Sequence, residues 1–244
     1  MSRVAYVNGR YLPWSQARVS IEDRGYQFAD GVYEVCEVLG GRMVDWPRHL
    51  QRLHRSLDAL RIAAPLADAA LEGIAREVLR RNRVGDGIVY LQVTRGVARR
   101  DHAFPPASVR PSLVVTARNL DQSRIERNAE RGIGVITVPE TRWARVDIKA
   151  VALLPNVLAR QAAREKGAAE AWFVSRDGFV TEGAASNAWI VTPEGRIVTT
   201  PSSNAILTGI TRTVLLDVAA ALQMTVEERS FTVAEALAAR EAFI

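Results

Sequence analysis

The order of apolar and polar residues divides the chain into short β-like runs and longer helical ones. Val4–Val7 and Arg10–Leu12 flank Asn8-Gly9, a pair suited to the left-handed geometry of a two-residue hairpin turn. Gly31–Leu39 is a longer apolar run, closed by Gly40-Gly41, with Arg42–Asp45 returning as its partner. From Pro47 to Leu60 the period becomes helical, with Leu50, Leu53, Leu57 and Leu60 on one face. Pro47 suits a first helical turn. A second helix is expected over Asp68–Arg83, ending toward Gly85, and Ile88–Thr94 and Ser112–Ala117 read as strands. Between those strands lies Gly96–Pro111, polar and proline-containing. It is longer than most connections inside a compact domain, and such loops are often functional.

Asn119-Leu120-Asp121 reads as a linker. Beyond it a strand is expected over Ile133–Val138. A helix follows over Asn156–Lys166, with Asn156 as its N-cap and Gly167 just past its end. Ala171–Ser175 with Gly178–Thr181, and Ala188–Val191 with Arg196–Thr199, read as hairpins. Thr211–Leu222 has helical apolar spacing, Thr232 caps a last helix over Val233–Arg240, and Glu241–Ile244 begins a strand. Strands grouped within each half and mixed with helices argue for an α+β architecture in two domains. The expected division is a smaller N-terminal α/β domain over 1–118, a linker over 119–121, and a larger mixed-β domain with helices over 122–244.

Composition narrows the classes without redrawing the elements. With 48% hydrophobic and 24% charged residues, collagen-like and disordered chains are excluded. No apolar stretch reaches the length of a membrane-spanning helix. The chain has 32 Lys plus Arg and a formal charge of +5, yet only Lys149 and Lys166 are lysines. A nucleic-acid partner is not expected. The arginines are dispersed, and the densest run, Arg80-Arg81-x-Arg83, interleaves no aromatic residue and reads as a solvated helix face. Cys36, the single cysteine, reads as a buried, inert thiol. His49, His54 and His102 with Cys36 show no zinc spacing. The opening MSRVAYVNGRYLPW has no apolar signal core, which points to the cytoplasm.

A few positions invite chemistry. Lys149 stands between apolar runs in VDIKAVALLPNVLARQ. Desolvation there would lower its pKa and make it a nucleophile able to form a Schiff base, whereas arginine cannot give up its proton. Thr208-Gly209-Ile210-Thr211-Arg212 opens a helix, where exposed N–H groups and the helix dipole favour an anion. Glu182, in FVTEGAASNAW, is a carboxylate among small residues; once buried it needs a cationic partner, for which a protonated ring nitrogen or an arginine would serve. Arg52 lies beside Leu53 at the core edge of its helix. Arg100 and His102, in the long loop, could together hold a carboxylate.

These stretches occur in an order that resembles the fold-type IV pyridoxal-phosphate aminotransferases, and most closely their D-amino acid branch. The matching segments are Asp23–Val35, His49–Leu53, Gln92–Pro106, Asp147–Gln161, Thr181–Trp189 and Ile206–Arg212, spread over essentially the whole chain. The resemblance implies an enzyme that transfers an amino group from a D-amino acid to a 2-oxo acid by a ping-pong mechanism. It implies pyridoxal 5'-phosphate as cofactor, with Lys149 forming the Schiff base and moving the α-proton, and Glu182 pairing with the ring nitrogen. Arg52, the backbone at Ile210 and the Thr211 hydroxyl would hold the phosphate. Tyr33, Arg100 and His102 would trap the substrate carboxylate, the last two supplied by the neighbouring subunit of a homodimer. Family members continue past the final helix into a strand and a further loop, so a C-terminal segment is expected beyond Ile244. Branched-chain L-amino acid aminotransferases and aminodeoxychorismate lyases share the fold and are the nearest alternatives. A non-catalytic dimeric cofactor-binding scaffold is the alternative of a different class.

Overall fold

The computed structural model describes residues 3–244. They form two compact units: one runs up to Glu126 and takes in Ile148–Ala152, and the other comprises Arg127–Asp147 and Leu153–Ile244. Lys149 therefore belongs to the first unit by contact, although the flanking sequence belongs to the second.

The first unit contains β1 (Val4–Val7), β2 (Arg10–Pro13), α1 (Arg24–Phe28), β3 (Gly31–Leu39), β4 (Arg42–Met43), α2 (Trp46–Leu60), α3 (Asp68–Asn82), β5 (Gly87–Thr94) and β6 (Ser112–Asn119). The strands make one antiparallel sheet in the order β2-β1-β6-β5-β3-β4. Asn8 and Gly9 both have positive φ, 45° and 93°, the geometry the β1–β2 hairpin needs. Strand alternation sends Val32, Cys36 and Val38 of β3 to one face with Val89, Leu91 and Val93 of β5. That face packs with Leu50, Leu53 and Leu57 of α2 and Leu71, Ala75 and Val78 of α3 in one core. Glu34 shares the inward row and is 1% exposed; it occupies a position that the period reserves for an apolar side chain.

After β6 comes α4 (Gln122–Arg131), then, in the second unit, β7 (Val135–Pro139), α5 (Leu154–Glu165), β8 (Glu170–Val174), β9 (Val180–Gly183), β10 (Trp189–Val191), β11 (Ile197–Thr199), α6 (Ile210–Ala221), β12 (Val226–Glu228), α7 (Val233–Ala238) and β13 (Glu241–Phe243). Two sheets form, β7-β8-β9 and β12-β11-β10-β13. One core gathers Trp172, Val180, Ile190, Val198 and Phe231, and a second gathers Ala159, Ala163, Ala171 and Phe173 beside α5. The terminal β13 pairs with β10, and Phe243 stacks on Trp189 with ring centroids 5.8 Å apart.

Several expectations shift. Asn156 is not the N-cap of α5: the helix starts at Leu154 with Pro155 in its first turn, and the Asn156 amide instead donates to the Ala184 carbonyl at 2.8 Å. Around 119–121, β6 runs on through Asn119, and Asp121 accepts from the Arg124 N–H at the start of α4. The helices α1 and α4 and the strand β12 had no counterpart in the apolar pattern. α7 is shorter than expected, but its cap stands: Thr232 and Glu235 form a reciprocal capping box.

Leu57 sits 1% exposed in the first core. Leu57→Ala should lower unfolding free energy by about 2–5 kcal/mol, read from urea denaturation; a loss under about 1 kcal/mol would mean that the site collapses around the smaller side chain.

Candidate active site

In the first unit the candidate groups gather around the start of β3. Alternation puts Tyr33 and Glu34 on opposite faces of the sheet. The Glu34 carboxylate accepts two bonds from Arg52, Nε to Oε1 and Nη2 to Oε2, both at 2.8 Å, and Oε2 also lies 2.7 Å from His49 Nδ1. His49 and Arg52 are three apart on α2 and so share a face. Burial alone would push the Glu34 carboxyl up. Hydrogen bonds from Arg52 and His49, with the charges of Arg52 and Lys149, outweigh it and hold the group below the usual carboxylate range.

Lys149 lies on a short extended segment that joins the beginning of β3. Its carbonyl accepts from the Tyr33 N–H at 3.0 Å, Ala150 bridges to Val32, and its own N–H donates to Ser56 Oγ of α2 at 3.3 Å. The side chain is half-buried, with Nζ 4.2 Å from the centre of the Tyr33 ring. Tyr33, Lys149 and Arg52 are thus brought together around one strand. Arg100 and His102 are exposed on the long loop and gather on Phe28 of α1. The Arg100 guanidinium carbon is 4.9 Å from the Phe28 ring centre, and the His102 ring is 5.4 Å from it.

In the second unit Glu182 ends up 5% exposed on β9. Its Oε1 accepts a short bond from Arg142 Nη1, and its Oε2 accepts from Asn187 Nδ2 and the Leu207 N–H, both at 3.0 Å. The cationic partner inferred for this carboxylate is therefore, within the chain, Arg142. That arginine is shared with Glu140, through bonds of 2.9 and 2.5 Å, and lies over the Phe173 ring. Burial, opposed by Arg142 and the Leu207 N–H, pushes the Glu182 carboxyl up to about 7. Glu140, less enclosed, stays below its ordinary value because Arg142 bonds it on both oxygens.

Asn187 connects this carboxylate to the start of α6. Besides holding Glu182, it donates to the Leu207 carbonyl at 2.9 Å and accepts from the Gly209 N–H at 3.2 Å. A Cβ on Gly209 would come within 2.4 Å of the Asn187 oxygen, so only glycine allows this approach. α6 begins at Ile210 with no side chain capping it. The first turn of α6 thus carries the N–H groups of Ile210 and Thr211, and Thr211 is exposed.

Comparison with known proteins decides the family. Residues 31–244 match the family described as Amino-transferase class IV. The chain belongs to this family. It is 40% identical over 237 residues to the D-alanine aminotransferase of Bacillus licheniformis, covering 97% of this chain and 82% of that protein. Its fold matches the branched-chain amino acid aminotransferase of Escherichia coli with a TM-score of 0.87 at 23% identity, over all of this chain and 82% of that one. Another branched-chain amino acid aminotransferase, from T.th. and solved with pyridoxamine 5'-phosphate, gives 0.88 at 24%, again over 100% and 82%. At such identities the structural likeness establishes the fold-type IV architecture.

Glu34, Arg142 and Asn187 hold the candidate groups of this class IV aminotransferase but are not themselves among the candidates that the sequence marks. Glu34 carried a readable signal, an acid on the inward row of an apolar strand. Arg142 carried none, because its meaning depends on a partner 40 residues away. Among the described residues no helix is long and apolar enough to cross a membrane, and no group of three or more acidic, His or Cys residues could hold a metal.

Glu182 yields a pH prediction for the cofactor-free protein. In the folded state it keeps its proton to about pH 7, while in the unfolded chain it releases it near 4.5. The folded state therefore binds more protons in that window, and the Glu182 contribution makes stability fall as pH rises across it. Glu182→Gln should flatten that part of the profile. Denaturant titrations of both proteins at several pH values check this, and parallel profiles would contradict it.

Proposed function

We propose that this chain transfers the amino group of a D-amino acid, D-alanine among them, to a 2-oxo acid in two successive half-reactions. It is a pyridoxal-phosphate-dependent aminotransferase. The observation that carries the substrate choice is its 40% identity, along 97% of its length, to a D-alanine aminotransferase. The buried acid on β9 and the uncapped start of α6, tied together by Asn187, suit the two ends of the cofactor.

Pyridoxal phosphate, when bound, supplies an aldehyde that takes up the amine and a ring that draws electrons from the substrate α-carbon. The residues of the chain do the rest. Lys149 holds the cofactor covalently, and its Nζ moves the α-proton, a task closed to a permanently charged guanidinium. Glu182 pairs with the ring nitrogen, a cationic partner that favours the ionised carboxylate and with it the protonated ring. Arg52, held by Glu34, and the N–H groups of Ile210 and Thr211, with the Thr211 hydroxyl, bind phosphate. Tyr33, Arg100 and His102 bind the carboxylate that amino acid and 2-oxo acid share. In this reading Arg100 and His102 serve the site of a second copy, so the working form is a homodimer. Its place is the cytoplasm, in keeping with one buried thiol, Cys36, and a chain without a disulfide.

Borohydride reduction of the cofactor-loaded protein followed by peptide mapping should place the pyridoxyl group on Lys149; a label elsewhere rejects the assignment. Glu182→Ala should still be labelled at Lys149, while its turnover falls by about 100-fold or more. Unchanged turnover would remove Glu182 from the chemistry. Assay with D-alanine, L-leucine and aminodeoxychorismate tests the substrate class, with D-alanine expected to support transfer best.

A further inference from the structure

We propose that Phe104 is the positioning residue of the loop that carries Arg100 and His102, acting as an aromatic plug between two arginines. This rests on the reading of those two residues as the carboxylate-binding pair.

The beginning of the loop is fixed by main chain. Arg24 N–H donates to the Gly96 carbonyl at 2.9 Å, Ala98 N–H to the Glu22 carbonyl at 3.2 Å, and Val97 bridges to Asp23. Arg24, 3% exposed, then reaches the Asp101 carbonyl with Nη1 at 2.6 Å, between the two functional residues. Past Asp101 the contacts change character. Ala103 N–H bonds Asp101 Oδ1 and Val109 N–H bonds the Pro106 carbonyl, both inside the loop. Beyond His102, whose ring lies against Phe28, what seats this part on the body of the unit is the ring of Phe104. Its centre lies 3.7 Å from the Arg95 guanidinium carbon and 4.7 Å from that of Arg61.

Arg95 is a fixed seat. Its Nε and Nη2 bond the two Asp30 oxygens at 2.8 and 2.9 Å, and Nη1 and Nη2 donate to the carbonyls of Arg61 and Leu60, both at 2.8 Å. Asp30 also accepts Arg24 Nε at 2.8 Å. One carboxylate thus orients both arginines that hold the loop, one through the Asp101 carbonyl and one through the Phe104 face. A ring placed on a cation already immobilised gains the attraction without ordering its partner. Phe104 is 49% exposed, so its worth lies in that face-on contact more than in burial.

A loop released at Phe104 must be ordered again each time a carboxylate binds. That weakens amino acid and 2-oxo acid alike and leaves the chemical step alone. The test uses the cofactor-loaded enzyme with Phe104→Ala, Phe104→Leu and Phe104→Tyr, and Arg100→Gln for reference. Expected in Phe104→Ala and Phe104→Leu is a KM about five- to twentyfold higher for D-alanine and for 2-oxoglutarate, the size of a partly exposed cation–π contact, with kcat within about twofold. Phe104→Tyr keeps the ring and should stay near wild type. Tryptic cleavage after Arg99 and Arg100, followed by mass spectrometry, should quicken in the Ala and Leu variants only. Wild-type KM and cleavage rate in Phe104→Ala would overturn the proposal. So would a Leu variant that behaves like wild type, since bulk would then suffice, or a fall in kcat with loss of cofactor, which marks general damage. An unchanged KM in Arg100→Gln would instead sink the carboxylate reading. Faster cleavage in Phe104→Ala would in that case still establish the anchor.

Discussion

Glu34 is a carboxylate placed where β3 needs an apolar residue, and the first unit is arranged around keeping it ionised there. A lone buried carboxylate costs several kcal/mol. α2 answers with His49 and Arg52 from one face, and Arg52 bonds both oxygens. This pairing sets the register of α2 against β3. One turn beyond Arg52, Ser56 meets the Lys149 N–H, and the Lys149 carbonyl takes the N–H of Tyr33, the residue beside Glu34. The ion cluster, the tyrosine and the lysine are consequently one assembly, and the orientation of each is inherited from its neighbours. Arg52 in particular has its fork fixed by the two oxygens of one carboxylate.

The second unit meets the same difficulty with the opposite outcome. Arg142 stands between two acids, and Glu140 takes two of its bonds. Glu182 is left with a share of one guanidinium, an amide and a main-chain N–H, and burial prevails. Where Glu34 is kept firmly charged, Glu182 is left near the point of gaining its proton. A carboxylate so poised would be drawn to its ionised form by one more cation, the part that the proposed function gives to the ring nitrogen. The distribution of one arginine over two acids is what separates a structural carboxylate from a responsive one.

Elements with a clear period were legible in the sequence, and so was the linear order of the chemistry. The Asn8-Gly9 hairpin, β3 and α2 announced themselves because alternation and the Leu50-Leu53-Leu57 spacing report directly on a buried face. α1 has five residues, too few for a period, and is set by the Asp23 side chain bonding the Gly25 N–H. α4 buries nothing, so it has no apolar stripe to read. In the site, Lys149 stood out by rarity and Glu182 by its small-residue surroundings. Their supports did not, because Arg142, Asn187 and Ser56 act across 40, 5 and 93 residues. Pairings that only the folded chain creates leave no spacing behind.

The scarcity of lysine also gains a physical sense. The buried arginines divide among carboxylates: Arg24 and Arg95 on Asp30, Arg52 on Glu34, Arg142 on Glu140 and Glu182, Arg212 on Glu228. Each of these places needs a cation that never sheds its proton, and Arg95 on Asp30, Arg52 on Glu34 and Arg142 on Glu140 also meet their carboxylate with two donors; guanidinium satisfies both conditions. A buried amine could lose its charge and leave the acid uncompensated. In the proposed function Lys149 turns that same weakness to advantage. The carboxylate near it, Glu34, already has both oxygens met by Arg52 and His49. In the proposed reaction, proton exchange at the lysine Nζ would take from Glu34 a lesser contribution than those of Arg52 and His49, whose bonds stay in place, so that arginine holds the structure while lysine changes its charge.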